Sequence, residues 1–505
     1  MKIHCSALYL KERMVLQMDK TFIESANTLT IEDECDVLVV GGGSAGHSAA
    51  LAAARAGCEK VILMERFGYF GGDVTGGYVL MIPAMSWRGY SLCRGIQEEW
   101  FTRLDKSAPG SYICPSLDEI GEKSLIKIDR WSMVHGCVAP DKSDQYLIRA
   151  PYYEPNQLKL EMDLMIQEEP GIKVMLHCWG TKPIVENNTI RGIIYESKEG
   201  RKVIMAKIVI DATGDGDLFS QSGAPYFRNS SSETRCDKTA LVWRMGGVDF
   251  EMFGRWAQDH PEEAASFRKE MSDIAGYPTA FFPTERNDVV WFNNWLPNLN
   301  CANIEDIKYT ELTVRNSIRK LIKFCRENMP AALRNAYLYD IAPQLGSRCS
   351  LRLDGEHVLT KLDFASARKF DDVIAWHSVV PMANDGAPVE LPYGCILPKK
   401  IENLLCPGRH LSADEVTIDG VSLIPQCVGT GQAAGVAAAV CIKDGTTTHN
   451  VNISQVQKIL CMEQDVPLPR QENTDPELIR ELEEYKYGTM APQAKAIREQ
   501  AGLDW

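Results

Sequence analysis

Asp36-Val37-Leu38-Val39-Val40-Gly41-Gly42-Gly43-Ser44-Ala45-Gly46, followed by Val61-Ile62-Leu63-Met64-Glu65, decides the fold of this chain. An apolar run of strand length leads into a glycine turn, an alanine-rich helical stretch (Ala49 to Ala56) follows, and a second apolar run ends in an acid. A G-x-G-x-x-G pattern alone is weak; strand, turn, helix, strand and acid in this order form a dinucleotide-binding βαβ unit. Gly41 allows the tight turn. Gly43 lets the N–H groups of the helix start, at Ser44 and Ala45, approach a pyrophosphate, and Gly46 lets helix and strand pack closely. Glu65 is placed to accept hydrogen bonds from an adenosine ribose, with Arg66 beside it.

A second glycine cluster, Gly71-Gly72-Asp73-Val74-Thr75-Gly76-Gly77, is more than a plain nicotinamide site needs and points to a larger, bent cofactor. Two distant segments repeat the strand-to-glycine-turn pattern. One is Ile208-Val209-Ile210-Asp211-Ala212-Thr213-Gly214-Asp215-Gly216-Asp217; the other is Asn403-Leu404-Leu405-Cys406-Pro407-Gly408-Arg409, leading to Gly429-Thr430-Gly431-Gln432-Ala433-Ala434-Gly435.

With these motifs in this order, most of residues 33 to 445 resembles the FAD-dependent oxidoreductases of the glutathione-reductase-like superfamily. Within it the chain is similar to the bacterial FAD-dependent oxidoreductase family, whose middle section Ile341-Ala342-Pro343-Gln344-Leu345-Gly346-Ser347-Arg348 also matches. The resemblance implies an α/β fold: a Rossmann-type FAD-binding domain with an inserted β-meander, and a second, mixed α+β substrate domain. It implies FAD, held by Gly41, Gly43, Ser44, Ala45, Gly46, Glu65 and Arg66 at one end and by Gly72 and Thr75 of the second cluster. Asp211 and Gly214 return the chain to the cofactor, and Gly408-Arg409 lies along the ribityl-pyrophosphate. A helix starting near Gly429, with Gly431 and Gln432, aims its N-terminus at the flavin pyrimidine, where a positive helix end stabilises the charge of reduced flavin. Covalent attachment through histidine is known in fumarate-reductase-like relatives; no His lies between Met64 and Tyr78 here, so the FAD is expected to be non-covalent.

The chain also departs from that family. Many relatives carry Cys after Gly-Arg, and a Ser-x-Arg before a Met-Pro-x-Cys leading into the last helix. Here those places hold His410, Gly420-Val421-Ser422 and Ile424-Pro425-Gln426-Cys427. The missing Arg removes a natural anchor for an anionic substrate, so a carboxylate substrate is not carried over.

Composition sets outer limits. A chain of 505 residues suggests about two domains with decorations, and 45% hydrophobic residues suffice for their cores. A net charge of −14 without a Lys/Arg-rich run argues against a nucleic-acid partner. Charged residues interrupt Met1 to Lys20, so neither a signal h-region nor a membrane span fits there, and a cytoplasmic location is expected. Of the 16 cysteines the closest pair is Cys395 and Cys406, which excludes C-x-x-C and cluster spacings. Cys406 and Cys427 are the candidates for a reactive thiol, against the plainer reading of buried free thiols. The nine histidines show no ligand spacing, so no metal is expected.

The expected organisation is a leader (1–33), the first parts of the FAD domain (34–225, with a Gly/Pro/Ser/Asp-rich insertion or lid at about 107–153), a substrate-covering domain (226–400), the return to FAD (401–445) and a helical tail (446–505). A helix over Glu154 to Gln167 precedes strands at Ile172–Cys178, Ile184–Val185, Ile190–Ser197 and Lys202–Ile210. An amphipathic helix runs from about Glu311 to Asn328, and Asp475-Pro476 marks a helix start in the tail.

A second glycine fingerprint for NAD(P)H is absent from the sequence, so electrons are expected to pass between a small organic substrate and FAD, with an external acceptor or donor completing the cycle. Hydride transfer to flavin N5 needs, for an alcohol or amine, a base. His410 is the first candidate, with Asp414 and Glu415 orienting it or acting themselves; the alternative is a capping His and a solvated acidic turn. Arg348 and Arg352 are candidates for binding an oxygen or stabilising developing charge, or are structural ion pairs. Phe281, Phe282, Trp291, Phe292 and Trp295 wall a pocket or fill a core. Two other classes stay open: an electron-relay flavoprotein subunit of a larger complex, and a tRNA-modifying flavoprotein, which the net charge disfavours. A second copy of the chain is a further possible partner.

Overall fold

The computed structural model describes residues 22, 24–83, 85–127, 137–140, 145–228, 238–329, 331–348, 350–378 and 387–484. Residues 1–30 form one unit and residues 31–505 a second. The expected leader lies mostly outside the described residues, and its last three positions already belong to the first strand.

The opening motif folds as its spacing demands: β1 (Ile31–Val40), α1 (Ser44–Arg55) and β2 (Val61–Glu65). Val37 to Val40 and Val61 to Met64 are buried, as continuous apolar runs are in a parallel sheet covered on both faces. Each such side chain contributes about 1.5–3 kcal/mol. Helices α2 (Ile96–Ser107) and α3 (Pro155–Gln167) lead to β3 (Ile172–Leu176) and to the meander β4 (Trp179–Glu186), β5 (Thr189–Ser197) and β6 (Gly200–Asp211). The sheet order is β4-β5-β6-β1-β2-β3. β1 runs parallel to β2 in the register Val37↔Val61 and parallel to β6 in the register Val37↔Ile208, so the ends of all three strands open on one edge. The meander turn at Asn187-Asn188 has φ of 49° and 59°, the left-handed pair of a tight hairpin.

A second, antiparallel sheet is built from β7 (Trp243–Gly246), β8 (Thr279–Pro283), β9 (Val289–Asn294) and β10 (Tyr337–Ile341), in the order β8-β9-β7-β10. Helices α4 (Phe250–Asp259), α5 (Pro261–Ala275) and α6 (Ile304–Asn328) accompany it. α6 starts upstream of the expected Glu311 because the Asn303 side chain caps it, accepting from the N–H groups of Glu305 and Asp306. Its first turns carry exposed Ile304 and Tyr309, which blur the apolar stripe that marks a helix in sequence. Most of the aromatic group is core: the Trp243 and Phe292 rings stack 3.8 Å apart, Trp291 and Phe292 are buried, and Phe281 and Phe282 pack on the same cluster, while Trp295 is half-buried.

Arg244 joins this sheet to the first body. It is 2% exposed and pairs at 2.6 Å with Glu154, the N-cap residue of α3, and at 2.6 Å with Asp340 on β10. The chain continues through the hairpin β11 (Val373–Ser378) and β12 (Pro388–Pro392) to β13 (Leu404–Leu405), which pairs parallel with β6. The long α7 (Ile424–Asp444) follows, then α8 (Ile453–Met462) and α9 (Pro476–Glu484), the last beginning where Asp475-Pro476 places it.

α7 lies directly on α1. A Cβ at Gly431 would sit 2.2 Å from the Ala45 carbonyl oxygen, and one at Gly435 2.2 Å from that of Ala49, so the two helices touch backbone to backbone. These glycines therefore lie inside the helix. The expected helix start near Gly429 is corrected: these glycines serve a close helix crossing and not a turn. The helix begins at Ile424, with Pro425 in its first turn and Leu423 as N-cap.

Candidate functional site

The strand ends of the first sheet, the N-terminus of α1 and the N-terminus of α7 converge on an open cleft. The cleft is lined at one end by Glu65, Arg66, Phe67, Trp179 and Asp217, in the middle by Gly41, Gly43 to Ala45, Gly72, Thr213 and Gly214, and at the far end by Asp73, Gln344, Gly408, Arg409, Ser422, Ile424 and Cys427.

The strand-end acid is held firmly. Glu65 accepts the Gly42 N–H at 2.6 Å on one oxygen and the Phe67 N–H at 2.8 Å on the other. Burial raises its pKa, and these N–H donors work against that rise. A carboxylate has about four lone-pair sites, so each oxygen keeps one for a ligand. Arg66 lies 4.9 Å from the Phe67 ring and 5.7 Å from the Trp179 ring, a flat cationic wall. Asp217, facing the Trp179 indole, is pushed up to about 6 by burial and by Asp215 and Asp211.

In the middle of the cleft the three motif glycines differ in what holds them. Gly41 has φ +99°, and a Cβ there would lie 2.4 Å from the Ala212 oxygen. A Cβ at Gly46 would lie 1.7 Å from the Gly41 oxygen. At Gly43 the nearest atom to a Cβ is Gly72 Cα, 3.8 Å away, so the protein itself has room for a side chain and the bare position serves the space in the cleft. No side chain caps α1, whose N-terminal N–H groups face that space. The second cluster packs here by the Gly71 N–H donating to the Gly42 carbonyl at 2.8 Å, while Thr75 is buried, donates to the Phe70 carbonyl and shapes the turn from behind.

At the far end Arg409 pairs with Asp215 at 3.0 Å and donates to Ser347 Oγ at 2.8 Å. Gly408, φ +99°, donates its N–H to Thr430 Oγ1 at 3.1 Å, tying this loop to α7. The buried Ser422 Oγ, at the start of α7 and on the cleft, has no hydrogen-bond partner among the described residues. A polar atom left this way beside a helix N-terminus fits the polar edge of a ligand. The bare cradle at Gly43 and this atom at α7 together suit a long dinucleotide with a polar ring at one end.

Of the residues expected to bind cofactor, Gly41, Gly43, Ser44, Ala45, Glu65, Arg66, Gly72, Gly214, Gly408 and Arg409 line the cleft. Gly46, Thr75, Asp211, Gly429, Gly431 and Gln432 do not. Asp211 is fully buried, accepting from Thr213 N and Oγ1 and from the N–H groups of Leu218 and Phe219. Gly429 abuts the His377 ring, and Gln432 donates to Gln464 Oε1 at 2.9 Å.

The expected catalytic residues are mostly displaced from the cleft. His410 is fully buried: its Nε2 donates to the Asp211 carbonyl at 3.0 Å, its ring meets Phe219 edge-on, and Nδ1 has no partner among the described residues. Burial lowers its pKa, so it is a neutral structural imidazole. Asp414 accepts from the N–H groups of Val416 at 3.1 Å, Thr417 at 2.7 Å and Lys361 at 3.1 Å, a capping role. Arg352 is buried against the Ala413 carbonyl, with Phe227 5.3 Å from its guanidinium and Glu415 at 3.8 Å. Arg348 alone stands near the far end, where its charge lowers the pKa of Asp73. Cys406 is fully buried and off the cleft; Cys427 lines it, but burial pushes its thiol up to about 12. Among the cleft residues that spacing did not assign are Trp179, Asp217 and Asp73; Asp217 and Asp73 stand inside quoted motifs, whereas nothing local marks Trp179.

Among the described residues no helix is long and apolar enough to cross a membrane, and no group of three His, Cys, Asp or Glu converges as a metal site. The family model of FAD dependent oxidoreductases matches residues 36–460, and the chain belongs to that family, with FAD as its cofactor. A urocanate reductase of Eggerthella lenta is 27% identical over 208 residues; the match spans 36% of this chain and only 32% of that protein. Among solved structures, a geranylgeranyl bacteriochlorophyll reductase-like protein from Thermoplasma acidophilum aligns over 92% of this chain and 96% of its own, at 16% identity and a TM-score of 0.41. A myxobacterial chondrochloren halogenase aligns over 93% and 90%, at 11% identity and a TM-score of 0.44.

Proposed function

We propose that this FAD-dependent oxidoreductase holds FAD non-covalently along the cleft and moves a hydride between a small organic substrate and flavin N5, exchanging electrons with an external partner. The observation that carries this reading is the continuity of the cleft from Glu65, past the bare Gly43, to the N-terminus of α7. Glu65 would hold the adenosine ribose, with Arg66 and Trp179 beside the adenine. The first N–H groups of α1 would meet the pyrophosphate, and Gly408 and Arg409 would follow the ribityl chain. The start of α7, with Ser422, would face the flavin pyrimidine. Bound there, FAD supplies a two-electron acceptor of hydride.

Non-covalent binding is supported by the thiols of the cleft, Cys178 and Cys427, both kept protonated by burial. Residues 34–225 and 401–445 are the FAD-holding part on this reading, and residues 226–400 the part that covers the substrate. Of the latter, Gln344 lines the far end of the cleft and Arg348 stands beside it. The test is the visible spectrum of the purified protein followed by acid denaturation. A yellow protein that releases intact FAD is the expected result; a colourless one that cannot be reconstituted with FAD overturns the reading.

A further inference from the structure

Nearly every acid around the cleft is engaged by the protein itself. Glu65 holds two backbone N–H groups, Asp211 four donors, and Asp215 both Arg409 and the Ser350 hydroxyl. Asp217 faces the Trp179 indole at the opposite end. Asp73 differs. It lines the far end, and among the described residues its one hydrogen-bond donor is Gln344 Nε2, at the limiting distance of 3.5 Å. Gly77 makes the room for it, since a Cβ there would lie 2.8 Å from Asp73 Oδ1.

We infer that Asp73 is the proton-exchanging carboxyl of the flavin end, an inference that rests on the FAD-binding reading above. The placement follows from its neighbours, Arg409 and Cys427, which tie it to the start of α7, and from Gln344 and Arg348, which belong to the part that covers the substrate. For a substrate carbon bearing O–H or N–H, the carbon gives its hydrogen with both bonding electrons to FAD. The heteroatom proton goes to a carboxylate oxygen of Asp73. A C=O or C=N bond forms, FAD is reduced by two electrons, and Asp73 becomes a neutral carboxyl; in the reductive direction the same proton returns to the heteroatom.

The surroundings suit such a group. Burial raises the Asp73 pKa, while Arg409, Arg348 and Arg66 oppose that rise and Asp215 adds to it. The thiols and phenols that sense Asp73 are kept neutral: burial pushes the Cys301 and Cys427 thiols up to about 12 and raises the Tyr69 and Tyr153 phenols above their ordinary value. Asp73 is thus a carboxyl at the flavin end whose burial favours the protonated form.

The experiment needs no substrate. The purified holoenzyme is photoreduced anaerobically in weak buffer above pH 7, and proton uptake is followed with an indicator dye for the native protein and for Asp73→Asn. Reduced flavin carries negative charge there, so native uptake is expected to rise above one proton per electron pair, while the Asn variant takes up one. Equal uptake in both overturns the inference and leaves FAD binding standing. If the Asn variant fails to hold FAD, Asp73→Glu decides: uptake above one proton with a shifted pH window supports the inference, and uptake of one overturns it. A native protein that takes up no FAD overturns both readings.

Discussion

Substituting alanine at two of the motif glycines should separate what the fold needs from what the cofactor needs. At Gly46 a Cβ would stand 1.7 Å from the Gly41 oxygen, so strand and helix must part; overpacking of this kind costs about 1–3 kcal/mol or more. At Gly43 the backbone has φ −66° and ψ −171°, open to any residue, and the nearest atom to a Cβ is 3.8 Å away. There alanine stabilises by roughly 0.4–1 kcal/mol through the unfolded chain. It also loses the preference for glycine over alanine at an N-cap, about as large and opposite in sign. The net change in apoprotein stability at Gly43 is therefore expected within about 1 kcal/mol of zero. FAD affinity should fall at least tenfold, about 1.4 kcal/mol, because the methyl group takes the space of the pyrophosphate. Urea unfolding of the apoproteins gives the first quantity and fluorescence titration with FAD the second. A Gly43→Ala protein that binds FAD like the native one, or unfolds as easily as Gly46→Ala, refutes the assignment of that space.

Removing the buried cation in Arg244→Leu leaves Glu154 and Asp340 unpaired and should cost about 3 kcal/mol, read as a lower urea midpoint. His410→Ala should lower stability by roughly 1–3 kcal/mol, read from the same midpoint, since the buried Asp211 carbonyl loses its donor, while the folded fraction keeps its FAD; an unchanged midpoint with lost flavin reduction would favour catalysis by His410 instead. Two further imidazoles, His47 and His377, are held by burial at about 4. Their folded pKa lies below the free value near 6.5, so the stability they contribute is full above about pH 6.5 and is lost as pH falls toward 4, up to about 3 kcal/mol each. Urea midpoints between pH 7.5 and 4.5 should fall accordingly, and the His47→Gln/His377→Gln pair should flatten the slope.

The resemblance to flavin enzymes led to His410 because a histidine follows Gly-Arg, yet the chain turns inward after Arg409 and buries the ring against Phe219. Asp211 stands one residue before the cleft-lining Ala212 and Thr213, and its four donors turn it toward the loop behind. In both cases proximity along the chain was a true guide to the neighbourhood and silent on direction. Direction depends on hydrogen bonds to distant segments, which spacing does not encode. Gly429 to Gly435 misled for a related reason: glycine marks a turn and a close helix crossing with the same letter.

Local pattern by itself determined the βαβ unit, the acid that ends β2, the meander with its Asn187-Asn188 turn, and the cofactor class. Those features rest on short-range physics: apolar period, the steric freedom of glycine and the charge of a helix start. Tertiary structure alone decided that α7 begins at Ile424, that the aromatic strands are core, and that Trp179, Asp217 and Asp73 face the cleft. Each of these depends on segments far apart in sequence packing against one another. Whether a polar side chain stabilises the fold or faces a ligand depends on which distant donors reach it first.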